Sequence, residues 1–361
     1  MAYIALFSFV MFSFYFVNNK KTCMLCVRQL NYLYFLLLLF LFILFYGLRW
    51  DVGVDYMSYY KNAVNKSYMK VQKGTGDVFE KGFQALYFIG DFFELPLNTF
   101  MILGGTLIFG FIFKSIYENS ENLMLSCFAY FSSGLFFYSF NEFRQFVAVS
   151  IIFYGYRYCT ERKILKWFLF CLLAFLFHRT AIIFSVMYLF VTRKYSKLFI
   201  NVCLLGALVL KQIDIVNVMK FLLGFLPGRY AGYAYVFDAI KNGGSGAISY
   251  LYALIILIMN NTKRRDSFYF GKNITYFNLF VLATVLLNIF CDFYMFTRIA
   301  EYFLVSIVIV FPLFHKVLKK SYFGLLFFYF VFGILFLNIC KFAIFSASTM
   351  HLEYHTIFSR G

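Results

Sequence analysis

Arginines that could bind a phosphate group, and acids that could pair with them or act as a base, recur at the ends of the long apolar segments of this chain. The set comprises Arg49, Asp51, Asp55, Glu80, Glu142, Arg144, Arg179, Arg229, Asp292, Arg298 and Glu301. Arginine suits phosphate well, because its planar guanidinium donates two parallel hydrogen bonds to phosphate oxygens. Arg179 and Arg229 have no acid within four residues, so local ion pairs explain only part of the pattern. The set favours a phosphate or diphosphate site, with salt-bridged or snorkelling side chains as the alternative for each residue taken singly.

The residues that usually bind metals or nucleotides lack the necessary spacing. The four histidines show no ligand pattern, and the only close cysteine pair is a lone C-x-x-C without a second pair. There is no G-x-x-x-x-G-K-[ST], no G-x-G-x-x-G after a strand and no nucleophile elbow. The sequence therefore predicts no metal and no cofactor. It predicts an activated lipid rather than a nucleotide-sugar as the donor.

Tyrosines accompany these charges in two polar segments of the chain. They are Tyr56, Tyr59, Tyr60, Tyr230, Tyr233 and Tyr235. An aromatic belt at the membrane interface is the simpler explanation. The alternative is a wall that stacks against sugar rings, since an aromatic face is apolar while a phenol hydroxyl can hydrogen-bond to a hydroxylated ring.

Composition determines the environment of these residues. Of 361 residues, 63% are hydrophobic and only 14% are charged, whereas soluble domains carry about 25% charged residues. The chain is therefore predicted to be an all-α integral membrane protein, with residues 1–361 forming a single polytopic domain. Its basic excess, 33 Lys and Arg against 16 acids, lies largely in short loops, which indicates cytoplasmic loops rather than nucleic-acid binding.

The basic loops fix a predicted topology. They are residues 18–28, 157–166, 193–197, 261–272 and 315–320, all placed in the cytoplasm. Apolar runs between them predict about twelve crossings, near residues 2–17, 29–48, 97–113, 122–140, 143–159, 164–177, 180–192, 198–211, 248–260, 274–291, 299–314 and 322–344. Both termini then lie outside the cytoplasm, as do two longer loops, 49–96 and 211–247. Residues 82–93 must form an extra-cytoplasmic or re-entrant helix for the parity to hold.

These arginines and acids all map to the outer ends of spans or to the outer loops, although only the basic loops fixed the topology. An outward-facing arginine cluster in a membrane predicts a lipid-linked phosphate or diphosphate as the ligand. The pair His178 and Arg179 lies at the tip of a hairpin whose halves, each about 13–14 residues, are shorter than the roughly 30 Å hydrocarbon core requires. This tip is predicted to lie below the outer membrane surface.

Several of these motifs together resemble a known family. "YGLRWDVGVDYMSYY" is similar to the R-x-x-x-G-x-D-Y-x-x-Y signature of the EpsG-like, Wzy-type bacterial polysaccharide polymerases. The later landmarks follow in the expected order: "FEKGF", "NEFRQFVAVSI", "FHRTAIIF", "GRYAGY" and "TRIAEYF". The chain departs from the family where His178 is followed by Arg179, since members often have Ser or Thr followed by Ala there.

The resemblance implies a multi-span, GT-C-like glycosyltransferase of the bacterial cytoplasmic (inner) membrane with its active site facing outward. Its substrates would be undecaprenyl-diphosphate-linked oligosaccharides, polymerised into O-antigen, capsule or exopolysaccharide without a metal. The resemblance leaves room for a chain-length regulator protein as a partner, and it implies no nucleic acid.

On this interpretation each candidate residue has a role. Arginines would bind the diphosphate: Arg144, Arg229 and Arg298, with Arg179 nearby and Arg49 supporting them or orienting Asp51 and Asp55. The base that takes the proton of a sugar hydroxyl would be His178, whose unperturbed pKa of about 6.5 suits this task, or else Asp55 or Glu80. Sugar-binding or supporting residues would be Asp51, Tyr56, Tyr60, Gln145, Tyr230, Tyr233 and Glu301.

Other functions remain open at the level of sequence. A lipid-linked oligosaccharide flippase would meet the same ligand, although the inner halves of the spans are largely apolar. An O-antigen ligase would share the chemistry. A secondary transporter is disfavoured, because no inverted repeat or central acidic pair is visible.

Overall fold

The chain folds as a set of apolar helices with two very short β-ladders. In the computed structural model, residues 2–18, 24–64, 71–72, 76–77, 80–96, 98–212, 246–290, 294–345 and 351–359 are described. The chain is divided into two compact units. The first comprises Met1–Tyr188 and Phe332–Gly361, and the second comprises Leu189–Val331. The single-domain organisation stays a prediction, since a membrane domain can itself contain two compact units.

The first unit contains the longer series of helices. They are α1 (Ala2–Asn18), α2 (Met24–Gly47), α3 (Tyr56–Val64), α4 (Lys81–Phe92), α5 (Thr99–Asn119), α6 (Leu123–Ser132), α7 (Leu135–Asn141), α8 (Phe143–Thr160) and α9 (Ile164–Phe175), followed by the 3₁₀ helix Arg179–Leu189. Helix α5 packs against both α2 and α8, and α8 packs in turn against α9. The predicted helix at residues 82–93 is confirmed as α4, while its position relative to the membrane stays a prediction.

Two β-ladders complete this unit. Strand β1 (Arg49–Trp50) pairs antiparallel with β4 (His355–Thr356), in a register that sets Arg49 opposite Thr356 and Trp50 opposite His355. Strand β2 (Val71–Gln72) pairs with β3 (Gly76–Asp77). The β1–β4 ladder fastens the C-terminal segment to the loop that follows α2.

Aromatic rings fill the interior of the first unit. The ring centroids of Phe42 and Phe113 are 4.8 Å apart, and those of Phe131 and Phe136 are 4.6 Å apart. All four side chains are buried. Lipid tails are as apolar as a protein core, so helices in a membrane associate through close packing rather than through the hydrophobic effect. Tilted and edge-on aromatic pairs supply such packing.

The second unit is built around the helix Lys272–Ile289. This helix contacts its neighbours Lys197–Leu210, Gly246–Asn261, Tyr294–Leu304 and Ile307–Leu318. The unit also contains the short helix Arg265–Phe268, and its boundary falls within the helix Tyr322–Cys340, after Val331. Polar side chains join some of these helices: Asn288 Oδ1 accepts hydrogen bonds from Ser249 Oγ at 3.1 Å and from Lys211 Nζ at 3.3 Å. Because hydrocarbon offers no alternative partners, such bonds hold helices together within a membrane.

By length and composition, three described helices can cross a membrane: Thr99–Asn119, Lys272–Ile289 and Tyr322–Ile344. The number rises to five if each of two bent helix pairs is one span, and six shorter apolar helices accompany them. The all-α membrane class is confirmed. The figure of about twelve crossings and the GT-C-like arrangement stay predictions.

Each predicted span overlaps a described helical segment, but four of them are not one continuous α-helix; the span 322–344 is the α-helix Tyr322–Cys340 followed by the π-helix Lys341–Phe345. The predicted spans 122–140 and 299–314 are each two helices, bent by 51° and 55°. The predicted span 180–192 is largely a 3₁₀ helix, Arg179–Leu189. Branched side chains such as Ile182, Ile183 and Val186 restrict χ1 and lower the preference for the α-helix, which is a physical reason for the difference.

Candidate active site

Glu80 lies between Arg144 and His178, three residues that are far apart in sequence. Arg144 Nη1 donates a hydrogen bond to Glu80 Oε2 at 2.8 Å. On the other side, His178 Nδ1 is 3.8 Å from Glu80 Oε1, an ion-pair distance rather than a hydrogen bond. The side chains are 31%, 10% and 21% exposed for Arg144, Glu80 and His178. We call these three residues the Glu80 cluster.

The start of α4 directs the Glu80 carboxylate into this cluster. Glu80 is the N-cap residue of α4, with an extended backbone, and its side chain makes no capping hydrogen bond. Its backbone carbonyl accepts bonds from the amides of Phe83 and Gln84, both at 3.0 Å. The carboxylate therefore makes no hydrogen bond to the backbone amides at the start of α4, and it can interact with Arg144 and His178.

A close backbone contact brings Glu80 and His178 together. The amide of Gly82 donates to the carbonyl of Leu176 at 2.8 Å, which joins the start of α4 to the end of α9 two residues before His178. A Cβ atom at position 82 would lie 2.8 Å from that carbonyl oxygen. Real Cβ atoms essentially never come so close, so this approach requires glycine.

Arg144 is placed by the junction of α7 and α8. It is the second residue of α8, next to Phe143, whose ring centroid lies 5.2 Å from that of Phe83 and 5.8 Å from that of Tyr59. The Tyr59 side chain is also a hydrogen-bonding neighbour of Arg144. The packing of Phe143 fixes the start of α8, from which the Arg144 side chain reaches Glu80.

Arg49 lies elsewhere, fully buried under aromatic rings. Its guanidinium carbon is 3.9 Å from the centroid of the Tyr46 ring and 4.7 Å from that of Phe140, and Nη2 donates to Met101 Sδ at 3.3 Å. Within the described part of the chain, Nε and Nη1 have no hydrogen-bond partner, and no acid forms an ion pair with Arg49. Cation–π attraction, which can reach about 2 kcal/mol for a desolvated pair, stabilises this charge.

The Arg49 guanidinium has no exposed surface, and among the described residues it forms no ion pair with Asp51 or Asp55. The reason for its burial is the pairing of β1 with β4, which covers the chain where the apolar run ends and leaves Arg49 on the inner side. Its predicted role in supporting the diphosphate-binding arginines stays a prediction. Asp51 and Asp55 are both exposed.

The loop that carries these aspartates is held at several points. Gly53 donates its amide to the carbonyl of His351 at 2.7 Å, and the amide of Val54 donates to Asn141 Oδ1 at 3.0 Å. Gly53 has a φ of 101°, and a Cβ there would overlap the carbonyl oxygen of Phe140. The glycine of the D-V-G-V-D motif is therefore required both by its conformation and by the space available.

The C-terminal segment packs against the end of α2. The Tyr354 ring stacks on Phe45 with a centroid distance of 3.9 Å, and its hydroxyl donates to the carbonyl of Phe45 at 2.6 Å. Burial raises the pKa of Tyr354 to about 12, so the hydroxyl keeps its proton at neutral pH. No local pattern in the sequence indicates this long-range contact.

A model of the EpsG family matches residues 32–356. The chain belongs to the EpsG family. Curated proteins and solved structures give no match. The resemblance seen in the sequence is confirmed. Membership of this family indicates a multi-pass membrane protein of polysaccharide biosynthesis, with a role like that of a polysaccharide polymerase and of a glycosyltransferase.

Three of the EpsG-family motifs lie together in the first unit. Glu80 belongs to "FEKGF", Arg144 to "NEFRQFVAVSI" and His178 to "FHRTAIIF". Each motif thus contributes one member of the Glu80 cluster. Their ordered appearance along the sequence indicated the family, whereas their common location is visible only in the structure.

The remaining predicted site residues are distributed between both units. In the first unit Tyr56 and Gln145 are buried, Tyr60 is half-buried and Arg179 is exposed at the start of the 3₁₀ helix. In the second unit Arg298 is half-buried and Glu301 is buried, one turn apart on the helix Tyr294–Leu304. The predicted residues Arg229, Tyr230 and Tyr233 lie outside the described residues. Among those described, no group of three or more His, Cys, Asp or Glu could hold a metal ion.

Gly82→Ala is expected to reduce polymer synthesis by at least about 10-fold, a free-energy change of about 1.4 kcal/mol in the transition state. The added methyl group pushes the start of α4 away from Leu176 and separates Glu80 from His178. Gly90→Ala in the same helix is the matched control, because its Cβ would meet nothing nearer than Thr99 Cβ at 3.8 Å. Both changes improve helix propensity. Equal activity of the two variants would show that the contact at Gly82 does not position the cluster.

Proposed function

We propose that this EpsG-family chain polymerises lipid-linked repeat units on the outer face of the bacterial cytoplasmic membrane. It transfers a growing glycan from undecaprenyl diphosphate to an incoming undecaprenyl-diphosphate-linked oligosaccharide, for O-antigen, capsule or exopolysaccharide. The observation that carries the proposal is the Glu80 cluster, in which a carboxylate bridges an arginine and a histidine. The family match supports the same class of reaction.

The reaction exchanges one glycosidic bond for another. A hydroxyl of the acceptor sugar attacks the anomeric carbon of the growing chain, the bond from that carbon to the diphosphate oxygen breaks, and undecaprenyl diphosphate leaves. The hydroxyl proton passes to a base, for which we assign His178. Its Nδ1 faces Glu80, so Nε2 is the nitrogen that receives the proton.

Glu80 acts on His178 rather than on substrate in this scheme. A carboxylate beside one ring nitrogen orients the imidazole and stabilises the imidazolium formed when the other nitrogen takes a proton, as in other histidine bases paired with an acid. At 10% exposure, the Glu80 charge is only weakly screened by water. Asp55, the other acid considered as the base, is exposed on the loop after α2.

Arginines stabilise the leaving diphosphate. Arg144 is the best-placed of these in the first unit, since its side chain is 31% exposed while one nitrogen bonds Glu80. The exposed part of this side chain can approach a phosphate, although Glu80 and Tyr59 are already hydrogen-bonding neighbours of the guanidinium. Hydrogen bonds to charged groups contribute about 1.5–3 kcal/mol each. We assign the same task to Arg298, Arg229 and Arg179. These cations allow a transfer that is independent of a metal.

The purified protein in lipid nanodiscs, incubated with a single lipid-linked repeat unit, tests this proposal. A ladder of products with one, two and more added units is expected. Movement of the substrate across a proteoliposome membrane without a ladder would identify a flippase instead. Transfer of a finished chain to a different lipid, again without a ladder, would identify a ligase.

A further inference from the structure

Three aromatic rings meet at the first outer loop of the chain. The Trp50 ring lies edge-on to Tyr60, with 4.9 Å between centroids, and to Tyr56, with 5.7 Å. Tyr56 and Tyr60 are one helical turn apart on α3, and their rings are parallel to within 8°. Tyr56 is buried, whereas Trp50 and Tyr60 are half-exposed. We call these three residues the Trp50 platform.

The Trp50 platform is fixed before any ligand arrives. Trp50 forms part of β1, which the β4 strand pairs on one side. Next to the ladder, the amide of Ile357 donates to the carbonyl of Leu48 at 3.0 Å, and that of Gly53 donates to the carbonyl of His351 at 2.7 Å. A half-exposed ring held in this way loses little conformational entropy when a ligand binds.

Hydrogen-bonding residues adjoin the Trp50 platform along the chain and across the β-ladder. The exposed carboxylates of Asp51 and Asp55 flank Trp50 and Tyr56 in the sequence, and neither forms an ion pair with another described residue. Asp51 has a φ of 51°, a left-handed conformation that aspartate tolerates better than most residues. Across the ladder, exposed His355 is directly opposite Trp50. Directly opposed residues of an antiparallel pair have side chains on the same face.

We propose that the Trp50 platform, with Asp51, Asp55 and His355, binds a neutral pyranose ring of the lipid-linked oligosaccharide. An apolar ring face can pack on Trp50 and Tyr60, while the carboxylates accept hydrogen bonds from sugar hydroxyls. The two acids repel a carboxylate on the ligand, which disfavours uronic acids. This inference rests on the proposed polymerase function, because it names the part of the substrate that the loop recognises.

A lipid interface is the other setting in which tyrosine and tryptophan concentrate. The Trp50 platform differs from a simple belt in two respects: its central ring is fastened in a β-ladder, and two carboxylates accompany it. Carboxylates oppose binding to anionic headgroups. The observations therefore favour a glycan, and the lipid interface is an outcome that the experiment distinguishes.

Tryptophan fluorescence gives a direct test, because the protein has only two tryptophans. Trp167 is buried, with Nε1 donating to the carbonyl of Ser185 at 2.9 Å. In full-length Trp167→Phe protein, Trp50 is the sole emitter. The probes are lipid-free glucose, galactose, N-acetylglucosamine and N-acetylgalactosamine, with glucuronic acid as the charged comparison.

We expect at least one neutral sugar to change the Trp50 emission in a saturable way, with a Kd in the millimolar range typical of about 4 kcal/mol of binding. Tyr60→Ala and the double variant Asp51→Asn with Asp55→Asn should weaken this binding by about 10-fold or more. If Trp167→Phe does not fold, the difference between wild type and Trp50→Phe reports the same signal. The proposal is overturned if no neutral sugar gives a saturable change, if Tyr60→Ala binds as wild type does, or if emission responds only to phospholipid vesicles.

Kinetics separate this proposal from the polymerase function. Trp50→Ala should raise the KM for the lipid-linked repeat unit by about 10-fold with kcat within a few-fold. If Trp50→Ala protein gives a product ladder with an unchanged KM, the proposed sugar binding at the Trp50 platform is wrong and the polymerase function is retained. No ladder from the wild-type protein, together with sugar binding at Trp50, would overturn the polymerase and leave a glycan-binding site.

Discussion

His178→Ala is expected to lower the turnover of polymer synthesis by about 100-fold or more, since a positioned general base contributes about 10²–10⁴-fold. Binding of the lipid-linked substrate should stay within a few-fold of wild type, because arginines supply most of the attraction for the diphosphate. Single-turnover kinetics together with equilibrium binding of the lipid substrate in nanodiscs separates the two quantities.

The matched control for this change is His315→Ala. His315 is also half-buried and packs on Phe328 with a centroid distance of 4.7 Å, but it lies in the last turn of the helix Ile307–Leu318, at the predicted cytoplasmic end. Each variant loses one half-buried imidazole, that of His178 beside Glu80 and that of His315 beside Phe328. Only His178→Ala removes the proposed general base. Wild-type turnover in His178→Ala would eliminate His178 from the proton transfer.

Glu80 can be tested through its dependence on His178. Glu80→Gln keeps the size of the side chain and removes its charge, so it should lower kcat in the wild-type background. If Glu80 acts through the histidine, the same change should have little further effect on kcat in His178→Ala protein. An equal loss in both backgrounds would assign Glu80 a role of its own, such as direct contact with the sugar.

The helices were predictable because a membrane imposes a simple requirement on the sequence. Every backbone polar group inside the hydrocarbon must be bonded within its own segment, so long apolar runs must be helical. The bends were not predictable in the same way. The break between α6 and α7 and the 3₁₀ geometry of Arg179–Leu189 depend on local packing that apolarity does not encode.

The active-site residues were predictable one by one but not as a group. Glu80, Arg144 and His178 drew attention as charges at the ends of apolar runs, yet they meet only because Gly82 allows α4 to approach α9. Arg49 looked equivalent to Arg144 in sequence. Its burial follows from the pairing of β1 with β4, a contact between distant parts of the chain that no local pattern reveals.

Trp50 is a further residue whose importance the sequence does not indicate. It lies inside the motif that indicated the family, but it was not singled out, because a tryptophan at the end of a membrane span is ordinary. Its distinction comes from the rings of α3 beside it and from His355 across the ladder. Both neighbours are products of tertiary structure.

Arg144→Ala is expected to abolish long-chain product, with a loss in kcat of about 100-fold or more, similar to the removal of one group that stabilises developing negative charge. The protein should still insert into the membrane and elute as a single species from gel filtration. Arg298→Ala tests the assignment of Arg298 separately, and loss of long-chain product is expected. Product length on a gel, combined with kcat and KM for one lipid-linked repeat unit, measures the outcome.

Arg157 on the same helix provides the control for Arg144. Its side chain is 29% exposed, and it is paired with Glu118 and Glu161 as Arg144 is paired with Glu80. Arg157→Ala therefore removes a similar ion pair at the predicted cytoplasmic end of α8, and full activity is expected. Arg144→Lys keeps the charge beside Glu80 but loses the planar fork, so partial activity with a raised KM should result. Polymer of normal length from Arg144→Ala would show that Arg144 is not part of the site. Equal losses of activity in Arg144→Ala and Arg157→Ala would show that the ion pairs along α8 are required, rather than diphosphate binding by Arg144.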